Sequence, residues 1–435
     1  MKLLESWEKT ETYADILLAN LFQQRKISDQ DRHFIQEIFF GVLRWRERLN
    51  WIIRQLFKGE VKKSPRFVQA VLQMSLYQLI YLSGIPHYAV INEAVKIAKQ
   101  KGGQYWAGKV NAILRNFLKQ QGEIVYPNRE SSRVDALAVH YSHPRWLVQR
   151  WLESWGEEAT IALCSIDNER PALTLRVNQT RISPPLLIAR LSTDNITVRQ
   201  SPFNENFLYA DNLPELSQMP EFQEGLFSIQ DESAGLACLL LGAQPGEKIF
   251  DLCAAPGGKT GYLMEMGKKA AKVFAIDLHL PRLKLVRQNL LRLGFSDSRV
   301  IQADGRYFCS QPVDKVLVDA PCSGLGVLAK RVDLRWRRKP EQIKELAKIQ
   351  VALLNNAAFL VRAGGALVYS TCTMEAEENE LVVAEFLNQH KNFTIDFAGK
   401  YVSQIFVTSD GFIRTFPHKH RMDGSFAARL IKIGE

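Results

Sequence analysis

At 435 residues, 46% apolar and 23% charged, the chain is too long for one ordinary core and supplies enough apolar side chains for two or three domains. The formal charge of +10 suggests a polyanionic partner, and residues 1–123 hold 19 Lys/Arg against 11 Asp/Glu, so most of the excess lies there; a solvated basic face without a ligand is the bland alternative. Six scattered cysteines with no C-x-x-C pair argue against a disulfide framework or a zinc site. Charges stand where a signal peptide needs its apolar stretch, and the uncharged run from Phe67 to Asn92 is interrupted by glutamines and Gly84-Ile-Pro, which suits a core helix better than a membrane span. A cytoplasmic protein is expected, with no membrane or metal partner.

Residues 1–125 read as an all-helical bundle. Ser28-Asp-Gln-Asp31 resembles a capping box opening an amphipathic stretch through Ile35, Ile38, Phe39 and Val42. Apolar residues recur at helical spacing from Phe67 to Leu82, from Ile91 to Ala98 and from Val110 to Leu118. A polar stretch from Gln120 to Ser132 reads as a linker. Residues 126–225 combine this linker with a small α/β module: a helix over Trp146–Trp155, a strand over Ala172–Val177, a helix near Leu186 and short strands near Ile196 and Phe207. Residues 226–435 alternate strand and helix, with strands at Lys248–Leu252, Val273–Asp277, Val300–Ala303, Lys315–Asp319 and Ala366–Ser370, which predicts a parallel, Rossmann-like sheet covered by helices.

Within that sheet, Ile249 to Thr260 runs from a strand through a tight glycine turn into a helix start. Gly257 and Gly258 permit close backbone approach to a ligand, and the helix N-terminus favours negative charge. A Walker loop would need Gly at position 253, which is Cys. Asp277 ends the next strand, where an acid can accept from ribose hydroxyls. Strand, turn and acid together predict a site for an adenosine-type cofactor, although Gly-Gly alone suits a plain structural turn. Asp304 ends the third strand and suits either the adenine edge or a solvated strand end.

Lys315-Val-Leu-Val-Asp-Ala-Pro-Cys-Ser-Gly324 and Gly365-Ala-Leu-Val-Tyr-Ser-Thr-Cys-Thr373 each run from a strand into a loop. In a parallel sheet both carboxyl ends share one edge, so Cys322 and Cys372 can face one pocket if their strands are neighbours. Cys164, Cys238 and Cys309 suit inert buried thiols, and so, nearly as well, does Cys253. The pair suits methylation at carbon 5 of cytosine. A thiolate adding to carbon 6 makes carbon 5 enamine-like, a base must then remove the carbon-5 proton, and an acid such as Asp319 would steady the charge at ring nitrogen 3.

These motifs resemble those of the RNA (cytosine-5) methyltransferases. The resemblance covers Asp-Ala-Pro-Cys-Ser-Gly at 319–324, Ser-Thr-Cys-Thr at 370–373 and the loop from Cys253 to Lys259. It implies Cys372 as nucleophile and Cys322 as the residue assisting proton removal and release. It further implies S-adenosyl-L-methionine contacts from Cys253, Ala254, Ala255, Pro256, Gly257, Gly258, Lys259, Asp277, Asp304 and Asp319. Asp31-Arg-His-Phe, Gly41-Val-Leu-Arg-Trp, Ile91-Asn-Glu-Ala-Val and Val110-Asn-Ala-Ile-Leu-Arg-Asn resemble the NusB-like helical domain heading the bacterial small-subunit rRNA methyltransferase B subgroup. That subgroup implies a cytosine of 16S rRNA, free or early-assembled, as substrate, and a monomeric enzyme. Two departures from the subgroup pattern bear on RNA contacts, the missing His-Pro after the paired arginines and Ser425 in place of a second aromatic. Lys330, Arg331, Arg335, Arg337, Arg338 and Lys339, around Trp336, read as a phosphate-gripping segment, or else as a solvated loop. A tRNA cytosine-5 methyltransferase and a non-enzymatic NusB-like assembly factor are the competing readings.

Overall fold

The computed structural model describes residues 1–57, 59–192 and 196–434 and divides them into two units. The first holds residues 1–169 together with 328–338; the second holds 170–327 and 339–435.

The first unit is helical. Its elements are α1 (Lys2–Lys9), α2 (Ala14–Gln24), α3 (Asp29–Arg44), α4 (Arg46–Leu56), α5 (Arg66–Tyr81), α6 (His87–Gln120), α7 (Arg133–His140) and α8 (Arg145–Ile166). Ser28 caps α3 as its sequence suggests, its hydroxyl accepting from the Asp31 amide, and Ser132 does the same for α7 through Asp135. The two apolar stretches at 91–98 and 110–118 lie on the two halves of α6. Between them Gly103 adopts φ 78°, a left-handed conformation that interrupts the helix. Val90, Ile91, Ala94 and Ala98 line one half and Val110, Ile113, Leu114 and Phe117 the other, all buried at three- and four-residue spacing. Packed with Leu49, Ile52, Leu72 and Leu76, they form the core of the unit.

Val332 joins that core although it comes from far along the chain, and Trp336 packs against it. The segment 328–338 is tied in by its own polar groups. Asp333 accepts from the Ala14 amide (2.9 Å), Trp336 Nε1 donates to the Leu43 carbonyl (2.6 Å), and Arg337 donates to the Thr12 carbonyl (3.2 Å). Arg335 is fully buried and donates to the Asn168 side chain (2.8 Å) and the Asp167 carbonyl (2.9 Å). Arg335, Trp336 and Arg337 are therefore internal struts, which corrects the expectation of phosphate contacts for these three residues; Lys330, Arg331 and Lys339 are exposed. Each strut is held by a carbonyl or amide distant in sequence, and so lies beyond any local pattern.

The second unit contains two sheets. The smaller is antiparallel, ordered β2–β3–β1–β4, from β1 (Leu173–Val177), β2 (Thr197–Gln200), β3 (Phe207–Asp211) and β4 (Phe227–Ile229), with α9 (Pro184–Leu191) and the short α10 (Pro220–Gln223). The larger follows α11 (Glu232–Leu241). It uses β5 (Lys248–Leu252), α12 (Gly258–Met266), β6 (Lys272–Asp277), α13 (Leu280–Leu293), β7 (Arg299–Gln302) and β8 (Val313–Asp319). The chain then passes through α14 (Leu334–Arg337) in the first unit and returns as α15 (Pro340–Leu360), β9 (Val361–Thr371), α16 (Glu380–Gln389), β10 (Phe393–Ile395), β11 (Ile413–Arg414), α17 (Pro417–His420) and β12 (Phe426–Lys432). The order is β10–β12–β9–β8–β5–β6–β7, with β11 paired to β12.

Five of these strands are parallel, as the alternating pattern predicts, but the sheet as a whole is mixed. β12 runs antiparallel to β9, with Phe426 opposite Thr371, and β10 runs antiparallel to β12. The expected parallel arrangement holds for those five strands, and the two strands beyond β9 are added antiparallel at that side of the sheet. Apolar clusters cover both faces, one built on α11, α12 and α13 and the other on α15 and α16. Burial on both faces explains the near-continuous apolar runs of the central strands.

Candidate active site

β8 and β9 are adjacent and parallel, and their register sets Asp319 beside Ser370. Cys322 lies three residues beyond Asp319 and Cys372 two beyond Ser370, so both loops leave the sheet at the same edge. The two sulfurs are 3.2 Å apart. The Cys372 amide donates to Cys322 Sγ at 3.3 Å, and Ser323 Oγ and Thr373 Oγ1 lie 2.8 Å apart, tying the loops together. Cys322 is half-buried and Cys372 exposed.

The pair is electrostatically unequal. The hydrogen bond with Cys322 holds the Cys372 thiol below its usual range; burial and Asp319 work against this, and Lys259 works with it. Cys322 is pushed well up, first by its hydrogen bond with Cys372, then by burial and by the charges of Cys372 and Glu378. Of the two, Cys372 is the sulfur that the surroundings favour as thiolate. Lys259 Nζ sits 2.7 Å from Asp319 Oδ2. Burial disfavours its ammonium, but Asp319 beside it more than offsets that and raises the Lys259 pKa.

The glycine turn lies on the strand next to β8, at the same edge. Cys253 takes φ 65° and Gly257 φ 97°, so the position where a Walker loop would carry glycine does adopt the left-handed conformation. Gly258 opens α12, whose first-turn amides lack acceptors within the helix. Asp277 at the end of β6 accepts from the Ala255 amide (3.2 Å) and the His279 amide (3.0 Å), so it braces the turn as well as facing this edge. Asp304 is held in a two-pronged ion pair by Arg306, closest approach 2.6 Å, which keeps its carboxyl below the usual range. Of the remaining cysteines, Cys164 and Cys238 are buried and Cys253 half-buried. Cys309 is exposed, contrary to expectation, because it lies in an irregular stretch after β7 rather than in an apolar face.

Sequence reasoning missed several residues of this edge. Arg176 on β1 is fully buried, donates to the Gly258 carbonyl (2.6 Å) and pairs with Glu265 (2.7 Å), supporting the turn from below. The Asp423-Gly-Ser-Phe turn, marked in the sequence only through Ser425, meets the Cys322 loop through the Gly424 amide and the Gly326 carbonyl (2.8 Å), leaving no room for a Cβ at either glycine. Its Ser425 bonds Thr415 (2.9 Å). Glu378 and Asn379 were missed as well. Buried polar residues of this kind carry no periodicity, and only the acidic run Glu377-Glu-Asn-Glu380 marks them.

A Rossmann-like sheet with a glycine turn, a strand-end acid and a cysteine pair at one edge defines a nucleoside-cofactor enzyme of the methyltransferase class. The model of the 16S rRNA methyltransferase RsmB/F family matches residues 238–431. The NusB family model matches residues 1–119, and that of the ferredoxin-like domain of RsmF/B-like methyltransferases matches 143–212. The probable ribosomal RNA small subunit methyltransferase B of Synechocystis sp. is 34% identical over 99% of this chain and 98% of its own length. Its Bacillus subtilis counterpart is 34% identical over 100% of this chain and 98% of its own. The crystal structure of PH0851 superposes with TM-score 0.82 at 26% identity, covering 96% of this chain and 94% of that one. The chain belongs to the RsmB/F methyltransferase family.

Its cofactor is therefore S-adenosyl-L-methionine. The residues present fit such a group. The α12 N-terminus offers amide donors, Asp277 offers acceptor lone pairs, and the half-exposed Leu278 and Leu280 after Asp277 offer apolar surface for a base. Among the described residues no helix is long and apolar enough to cross a membrane.

Proposed function

We propose that this protein methylates carbon 5 of a cytosine in 16S rRNA, with Cys372 as nucleophile and Cys322 as the residue that removes the carbon-5 proton. The observation carrying this reading is the 3.2 Å sulfur pair with opposed acidities, Cys372 favouring the thiolate and Cys322 the thiol. The names of the relatives, methyltransferases of small-subunit rRNA, support the choice of substrate. S-adenosyl-L-methionine, when bound, supplies an electrophilic methyl carbon on a sulfonium. Cys253 to Lys259, Asp277, Asp304 and Asp319 would hold it, and Asp319, paired to Lys259, would also face ring nitrogen 3.

The thiolate of Cys372 adds to carbon 6 and forms a C–S bond, which makes carbon 5 nucleophilic enough to take the methyl group. That addition removes the charge and the hydrogen bond by which Cys372 holds the Cys322 pKa up, leaving burial and Glu378. Cys322 then gives up its own proton to solvent, its thiolate accepts the carbon-5 proton, and the electron pair left behind expels Cys372 as a thiolate. The asymmetry of the pair thus orders the two roles in time. In this reading residues 1–125 and 126–225 grip the RNA and 226–435 carry the chemistry, in a cytoplasmic, monomeric enzyme acting on free or early-assembled 16S rRNA.

Cys372→Ala is expected to be inactive and to trap no RNA. Cys322→Ala is expected to attack, take the methyl group and stall, accumulating a donor-dependent covalent complex visible as a shifted band on denaturing electrophoresis. Trapping in Cys372→Ala instead would exchange the roles. Activity retained in both, with no trapping, would end the covalent reading, and methylation of tRNA rather than 16S rRNA by the wild type would move the substrate.

A further inference from the structure

Glu378 and Asn379 are consecutive, fully buried residues between the Cys372 loop and α16. Glu378 Oε1 accepts from the Ser323 amide (2.8 Å) and from Gln350 Nε2 (3.0 Å). The same Gln350 nitrogen donates to the Pro321 carbonyl at 2.9 Å. The backbone on both sides of Cys322 is thus held by one carboxylate–amide pair. Asn379 Oδ1 accepts from Thr371 Oγ1 (2.6 Å), and its Nδ2 donates to the Thr373 carbonyl (3.0 Å), so one amide holds both neighbours of Cys372. Tyr369 Oη donates to the Glu378 carbonyl at 2.6 Å, fixing this pair of residues to β9.

A buried carboxylate is costly unless it is well bonded, and burial does raise the Glu378 pKa. A hydrophobic residue would stabilise a core at least as well. Polar groups in this place instead fix directions: hydrogen bonds locate the two loops in a way that apolar packing does not.

We propose that Glu378 and Asn379 are positioning residues that bracket the two cysteine loops and set the Cys322–Cys372 separation on which proton removal depends. The proposal rests on the cysteine roles given above, but its geometric part can be tested without methyl transfer. The azo oxidant diamide takes two electrons and two protons from the two thiols, forming the Cys322–Cys372 disulfide and its own hydrazine. The rate, followed by mass spectrometry of the cross-linked peptides in the full-length protein, reads how often the sulfurs meet.

Asn379→Ala and Glu378→Ala are expected to slow this disulfide, and kcat on a 16S rRNA fragment, by at least about tenfold each, the scale of removing a buried hydrogen bond, with KM unchanged. Glu378→Gln keeps the acceptor for Ser323 and is expected to stay within about threefold of wild type in disulfide rate. Should the alanine variants not fold, Asn379→Asp, which loses the donor to Thr373, and Glu378→Asp, which loses reach, are expected to show the same loss at wild-type melting temperature. Wild-type oxidation rates in the folded variants, or slowed oxidation with unchanged kcat, would overturn the bracket. Activity in Cys372→Ala would sink the covalent reading and leave the oxidation comparison standing.

Discussion

At the scale of single residues, the site works by charges that set one another. Lys259 lies within the field of Cys372 and is paired to Asp319, so its ammonium contributes to keeping the Cys372 thiol acidic. Removing a positive charge disfavours a nearby anion, so Lys259→Met is expected to raise the Cys372 pKa. The pH midpoint for iodoacetamide labelling of Cys372, read by peptide mass spectrometry, should move up and labelling at neutral pH should slow; an unmoved midpoint would show that Lys259 does not tune this thiol. Asp277 holds two backbone amides and is the acid we propose for the cofactor ribose. Asp277→Ala is expected to weaken S-adenosyl-L-methionine binding by about 1–3 kcal/mol, the scale for hydrogen bonds to a charged acceptor, measured by calorimetric titration. Asp304 is occupied by Arg306, so any bond it makes with adenine uses oxygen lone pairs that the guanidinium leaves open.

At the scale of elements, the segment 328–338 stands out because Asp333 and Arg335 are turned inward while Lys330 and Arg331 stay exposed. Arg335 loses its solvent and is lowered to about 10 by burial, with the nearby Asp167 working the other way. What it gains is a set of hydrogen bonds to the ends of α7 and α8, through the Ser142 and Asp167 carbonyls and the Asn168 side chain. Arg335→Met removes these donors and leaves the acceptors buried. It is expected to cost about 3 kcal/mol of stability, from two or three unsatisfied groups at 1–3 kcal/mol each, measured by denaturant unfolding. The salt dependence of RNA binding should not change, since a buried guanidinium releases no counterions; a reduced slope would return Arg335 to the RNA.

At the scale of the whole molecule, the charge surplus of residues 1–123 is presented in part by α6. Lys99, Lys101, Arg115 and Lys119 are exposed there, and Lys96 pairs only loosely with Glu93. Because residues 1–123 share one unit with 124–169 and 328–338, substitution is a cleaner probe than deletion. Replacing Lys99, Lys101 and Arg115 together by Gln is expected to lower the slope of log affinity for 16S rRNA against log salt by roughly 0.7–0.9 for each phosphate no longer neutralised. Binding isotherms at several salt concentrations measure it, and an unchanged slope would place the phosphate grip on another surface.

By itself the sequence determined what depends on neighbours a few residues apart. The Ser28 cap, the two halves of α6, five parallel strands and the glycine turn all follow from spacing and local stereochemistry. The two cysteine motifs were legible too, because a strand that ends in a loop delivers its residue to a known edge. Tertiary structure alone decided that β8 and β9 are neighbours, which turns two cysteines 50 residues apart into a pair at 3.2 Å. It also decided that β12 joins the sheet antiparallel, that Glu378 and Asn379 brace the cysteine loops, and that Arg335 is a buried strut and Arg337 a half-buried one. The reason is the same in each case. An arginine or a buried acid has no fixed partner in its own sequence; whether it meets solvent, phosphate or a carbonyl depends on which distant backbone the fold brings within about 3 Å.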